Sequence, residues 1–133
     1  MAIHPITAYK KEALAQLTAY RRNCLAVKKG ETLGRRERAW MRVIARVRRL
    51  LKEEDALKEK FMERLFGLDL VIPQRKTARE RLIKLSMELH CSEATLYNWR
   101  AEIVELVLYG AIEARLIQPF GGGKSGRAPK NIL

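Results

Sequence analysis

Leu82-Ile83-Lys84-Leu85-Ser86-Met87-Glu88-Leu89-His90-Cys91-Ser92-Glu93-Ala94-Thr95-Leu96-Tyr97-Asn98-Trp99-Arg100 is the stretch on which the architecture of this chain turns. Leu82, Leu85 and Leu89 recur at steps of three and four, the spacing that puts side chains on one face of a helix. Leu96, Trp99, Ile103 and then Leu106 or Val107 repeat that spacing after an interruption at His90-Cys91-Ser92. Upstream, Thr77 is followed three residues later by Glu80, a capping-box arrangement that starts a helix at Ala78 and runs it to about Leu89. Ser92 stands in a second cap position. Two amphipathic helices with so short a gap must cross steeply, and Ser86 supplies a small residue for the close approach. Leu85, Leu89, Cys91, Leu96 and Trp99 then form an inner cluster, and Glu93, Ala94, Thr95, Tyr97, Asn98 and Arg100 point outward. His90 falls at the turn, where a positive φ is expected; His tolerates one better than most residues.

Working toward the N-terminus, Leu57, Phe61, Leu65 and Phe66 form another stripe that Gly67 ends. Trp40, Val43, Ile44, Val47, Leu50 and Leu51 make a preceding one, interleaved with Arg35, Arg36, Arg38, Arg42, Arg46, Arg48 and Arg49. A break near Asp55, whose short carboxylate suits a helix cap, is preferred to one rod from Arg35 to Phe66. Ala13, Leu17, Tyr20, Cys24 and Val27 give the first helix one apolar face, and Lys28-Lys29-Gly30 ends it. Tyr109-Gly110-Ala111 permits a close helix approach, within the chain or between two copies. Residues 68–77 read as a loop around Pro73, with Leu70-Val71-Ile72 too short to imply a sheet. The last helix is expected to extend as far as Leu116 before Pro119-Phe120-Gly121-Gly122-Gly123.

No period-two strand pattern and no internal repeat is present, so the expected fold is all-α: a helical bundle with a C-terminal helix-turn-helix and a long last helix. The organisation reads as residues 1–51, an N-terminal amphipathic helical segment; 52–118, the segment holding the helix-turn-helix; and 119–133, a flexible basic tail. A chain of 133 residues, 47% hydrophobic, suffices for one compact domain. Its 27 Lys plus Arg against 15 Asp plus Glu leave +12, which favours a phosphate polymer over a cationic partner.

Other classes find little support. No charge-free run approaches the ~20 residues needed to cross a bilayer, so no membrane role is expected. Residues 1–9 lack a basic region ahead of an apolar run, and no secretory signal is expected. Cys24 and Cys91 are too few for a disulfide framework, which leaves a reducing cytoplasm as the expected location. His4 and His90-Cys91 have no partner at metal-ligand spacing, and the triple glycine precedes no helix. Neither catalysis nor a cofactor is expected; Glu53-Glu54-Asp55 reads as a solvated helix start.

The run from Phe61 to Arg100 resembles the fourth region of bacterial sigma factors and its relatives among phage late-gene activators of the ArpU and RinA type. Arg64 to Asp69 is similar to the helix end that leads into the helix-turn-helix there, and Ser92, Leu96, Tyr97 and Trp99 to the opening of the recognition helix. The resemblance implies base contacts from Glu93, Thr95, Tyr97, Asn98 and Arg100, a buried Trp99, and transcriptional control of phage or prophage genes, with RNA polymerase as a possible partner. Glu93, Glu102 and Glu105 outweigh Arg100 along this helix, so attraction to double-stranded DNA must come from elsewhere. Arg75, Lys76, Arg79, Arg81 and Lys84 fit a phosphate clamp. The arginine-rich second helix offers further phosphate contacts, an acidic-partner surface or a solvated face. Trp40 and Trp99 read as core. A homodimer would place two copies on half-sites about one helical turn apart. The alternative is an assembly adaptor, such as a small terminase-like packaging subunit; an RNA-binding helical protein is disfavoured for want of exposed aromatic platforms.

Overall fold

A computed structural model describes residues 5–68 and 77–117, and the described residues contain five helices and no strand. They are α1 (Pro5–Lys28), α2 (Arg35–Glu54), α3 (Ala56–Phe66), α4 (Ala78–Leu89) and α5 (Glu93–Glu113). The expected all-α bundle is what the chain forms. The Pro73 loop, Arg75, Lys76 and the tail after Ile117 lie outside the described residues.

The helix boundaries follow local chemistry. The break between α2 and α3 falls at Asp55, whose side chain accepts from the Lys58 amide at 3.2 Å. Thr77 and Glu80 form the reciprocal capping box, and Ser92 accepts from the Thr95 amide at 3.1 Å. Helices α1, α3, α4 and α5 each end on a residue in the left-handed region: Gly30, Gly67, His90 and Arg115. The amide one residue later reaches back to a carbonyl five residues upstream, as Cys91 does to Ser86 at 3.1 Å. His90 has φ 55°, so the positive φ expected at the turn is present on a non-glycine residue. Helix α5 stops at Glu113 rather than Leu116, where the Arg115 turn closes it.

One apolar cluster runs through all five helices, spanning both segments into which the sequence divides before residue 118. Leu17 of α1, Trp40 and Ile44 of α2, Phe61 and Met62 of α3, and Leu96, Ile103 and Val107 of α5 are fully buried. Burying each such side chain is worth about 1.5–3 kcal/mol, which makes this seam the main source of cohesion. Helix α2 packs on α1, α3 and α5, and α3 carries α4. Helix α2 comes close to α5 at Gly110, where a Cβ would lie 2.8 Å from Val43 Cγ1. Gly110 thus serves internal packing. Three residues expected on apolar stripes, Val27, Leu50 and Leu57, remain more than two-fifths exposed.

The seven arginines of α2 divide sharply. Arg36 donates from Nε and Nη2 to the Glu12 carboxylate at 2.7 and 2.9 Å and from Nη1 to the Leu116 carbonyl at 3.2 Å. Trp40 Nε1 donates to the same carboxylate at 3.0 Å, so Glu12 ties α1 to α2. Arg48 bridges α2 to α3 through Glu59 at 2.9 Å and Glu63 at 2.6 Å. Burial pulls the Arg48 guanidinium down, but the Glu59 hydrogen bond and the charges of Glu63 and Glu59 outweigh it and hold the group above its ordinary value. These two arginines are braces, so of the seven only the other five remain for the phosphate, acidic-partner or solvated roles expected of this helix.

Candidate nucleic-acid interface

Helices α4 and α5 are joined by a three-residue turn, His90 to Ser92. The C-terminal half of α5 is sealed into the core through Val104, Val107, Leu108 and Ala111. Its N-terminal half buries only Leu96 fully and leaves Glu93, Ala94, Tyr97, Asn98 and Ala101 exposed. The ridge from Glu93 to Arg100 is about 12 Å long at 1.5 Å per residue.

Helix α3 holds this unit in place. Phe61 meets Trp99 edge-on with centroids 5.8 Å apart, and Lys58 Nζ lies 5.9 Å above the Trp99 ring. Trp99 is therefore a partly buried anchor rather than a fully buried one. Leu89 and Cys91, also assigned to the inner cluster, are half-buried at its edge. Arg64 donates to Glu88 at 2.9 Å, and Arg81 Nε to the Leu65 carbonyl at 2.9 Å. Ser86, chosen for close approach, is half-buried, and its hydroxyl donates to the Ile83 carbonyl of its own helix at 2.7 Å.

The five residues named as base contacts do not share one environment. Glu93, Tyr97 and Asn98 are exposed, with Tyr97 at 47%. Thr95 and Arg100 are half-exposed, and the Thr95 hydroxyl accepts from Ser92 Oγ at 3.0 Å, which ties it into the cap. Among the phosphate candidates, Arg79 and Lys84 are exposed on α4. Arg81 is half-buried and engaged with Leu65, so its Nε braces α3. Arg75 and Lys76 lie outside the described residues.

The acidic character of α5 is partly offset in three dimensions. Glu102 accepts from Lys58 at 2.5 Å, and Glu105 lies 3.8 Å from Lys10. The remaining carboxylate of this stretch, Glu93, sits in the first helical turn, where the N-terminal dipole favours a negative charge. A phosphate chain approaching the ridge thus meets less repulsion than the sequence suggests.

Two features escaped sequence reasoning. Ile83 and Met87 of α4 are 36% and 71% exposed, four residues apart on one helix face. The split among the α2 arginines had a visible signal, since Arg36 lies four residues before Trp40 and Arg48 four after Ile44, both flanking the buried stripe. Among the described residues no cluster of His, Cys, Asp or Glu is placed to hold a metal, and no helix is long and apolar enough to cross a membrane. No family model, curated protein or solved structure matches this chain.

Proposed function

We propose that this chain is a sequence-specific double-stranded-DNA-binding regulator of transcription, with the N-terminal half of α5 reading the major groove. The single observation carrying the reading is the exposed ridge of Tyr97 and Asn98 at the start of a helix that follows a capped, three-residue turn. An α-helix, about 10–12 Å across with its side chains, fits a groove about 12 Å wide, and an Asn amide can pair with both adenine edge positions. Arg79 and Lys84 of α4 flank it as phosphate contacts, with Arg100 beside Tyr97 and Asn98. The assignment to phage or prophage genes, and polymerase as partner, rests on the resemblance of Phe61 to Arg100 to late-gene activators.

Selection of duplexes from a random pool by the full chain, followed by anisotropy titration, tests this. Asn98→Ala is expected to cost about 1–3 kcal/mol on the selected site and little on random duplex. Equal losses on both would remove base reading from Asn98.

The exposed pair Ile83 and Met87 favours a second reading, an assembly adaptor whose α4 meets protein. Mass measurement in solution separates the two: a ring of many copies supports a packaging-type adaptor, and a monomer or dimer supports promoter binding.

A further inference from the structure

Five arginines of α2 form no brace of the kind that Arg36 and Arg48 form. Arg35, Arg38, Arg42, Arg46 and Arg49 are exposed and make no ion pair or side-chain hydrogen bond among the described residues. Their steps of three and four align them as one stripe, about 21 Å long at 1.5 Å per residue. Like charges at this spacing destabilise an isolated helix, so an anionic ligand along the stripe would relieve a standing repulsion.

Beside the stripe, α2 and α5 enclose a groove of about 1010 Å³. Arg42, Arg46 and Arg49 line it, together with Val43, Val47 and Gly110. Leu50 and Tyr109 also line it and stand 43% and 56% exposed, apolar side chains set directly beside the arginine stripe. Glu53 and Glu113 belong to the same groove, each in the last turn of its helix.

We propose that the α2–α5 groove docks an acidic amphipathic helix of a partner protein, its apolar side chains on Leu50 and Tyr109 and its carboxylates on the arginine stripe. Such a ligand uses both features at once. A phosphate backbone would satisfy the arginines, yet it would leave Leu50 and Tyr109 wet and would meet the carboxylates of Glu53 and Glu113. A second copy related by two-fold symmetry would set the stripe against itself. Residues 118–133 carry Lys124, Arg127 and Lys130 and no Asp or Glu, so their charge has the wrong sign to fill the groove. Glu53, four residues beyond Arg49, gives the surface a polarity: a partner helix with a lysine at one end of its acidic run would be read in one direction. This surface is separate from the α5 ridge, and its test stands whether or not the duplex reading holds.

The full chain is titrated with three fluorescent probes: a synthetic helical peptide with leucines at i, i+3, i+4 and i+7 flanked by glutamates, the same peptide with every Glu replaced by Gln, and a random-sequence duplex. Arg42→Glu with Arg46→Glu, and separately Leu50→Ala with Tyr109→Ala, are each expected to weaken the acidic peptide by about tenfold or more. The second pair leaves duplex affinity unchanged, and the Gln peptide binds poorly to every form. All four positions are exposed, and circular dichroism melts verify that both variants fold. Three results overturn the proposal. Peptide affinity indifferent to the Leu50 and Tyr109 changes would reduce the attraction to net charge. Loss of duplex affinity with the arginine changes, at constant peptide affinity, would make the face a nucleic-acid surface. Self-association abolished by the apolar pair would make the occupant a second copy.

Discussion

Replacing Arg48 by Met separates a structural arginine from a ligand-binding one. The guanidinium links α2 to α3 by hydrogen bonds to Glu59 at 2.9 Å and Glu63 at 2.6 Å, and Glu59 is only 9% exposed. Hydrogen bonds to charged groups contribute about 1.5–3 kcal/mol, and breaking a buried pair costs about 3–5 kcal/mol. The Arg48 side chain is 30% exposed, so solvent screening places this pair at the lower end of those ranges. Methionine replaces the aliphatic stem but leaves Glu59 and Glu63, one helical turn apart on α3, facing each other without a counterion. The expected loss is about 2 kcal/mol, or roughly 6–10 °C in melting temperature for a domain of this size. Thermal melts by far-ultraviolet circular dichroism measure it, and Glu59→Gln added to Arg48→Met is expected to recover part of the loss by removing the stranded charge. A melting point within about 2 °C of the parent, or no recovery in the double variant, would refute the brace. The folded variant should also keep its full salt dependence on duplex DNA. A slope reduced by about one unit would mean that the guanidinium contacts phosphate after all.

Three further outcomes follow from the same geometry. Lys84→Ala should weaken selected and random duplexes alike and lower the salt slope by about one unit, as read by anisotropy across a salt series; an effect confined to the selected site would move Lys84 into base reading. His90→Gly relieves the left-handed conformation at φ 55° and should raise stability by up to about 1 kcal/mol in urea unfolding; a fall would reveal a contact made by the imidazole. Ser92→Ala should cost about 1 kcal/mol in the same assay through loss of the cap on α5, and an unchanged midpoint would show that the first turn of α5 holds without it.

Much of the chain's local structure was legible because it depends on neighbours in sequence. The capping box at Thr77, the cap at Asp55, the turn at His90 and the end at Gly67 each involve residues a few positions apart, so spacing and side-chain type are enough. The candidate ridge was legible for the same reason: the Leu96 and Trp99 stripe leaves Tyr97 and Asn98 on the other side of the helix. Charge was far less legible. Glu102 and Glu105 count against phosphate binding when read along the chain, but Lys58 and Lys10 partly offset them from α3 and α1. Arg81 reads as a clamp residue until the Leu65 carbonyl is found beside it.

The amino-acid pattern by itself determined the apolar stripes of the helices, most of their ends and the sharp turn ahead of α5, since hydrophobic period and capping act over one or two turns; the close of α5 at Glu113, short of Leu116, came from the Arg115 turn. Only the packing of α2 against α1, α3 and α5 decided which arginines are braces and which stand free, that Gly110 meets Val43, and that Leu50 and Tyr109 share an open groove. Pairing and burial are set by residues distant in sequence that meet only once the core has closed, and no period along the chain encodes those meetings.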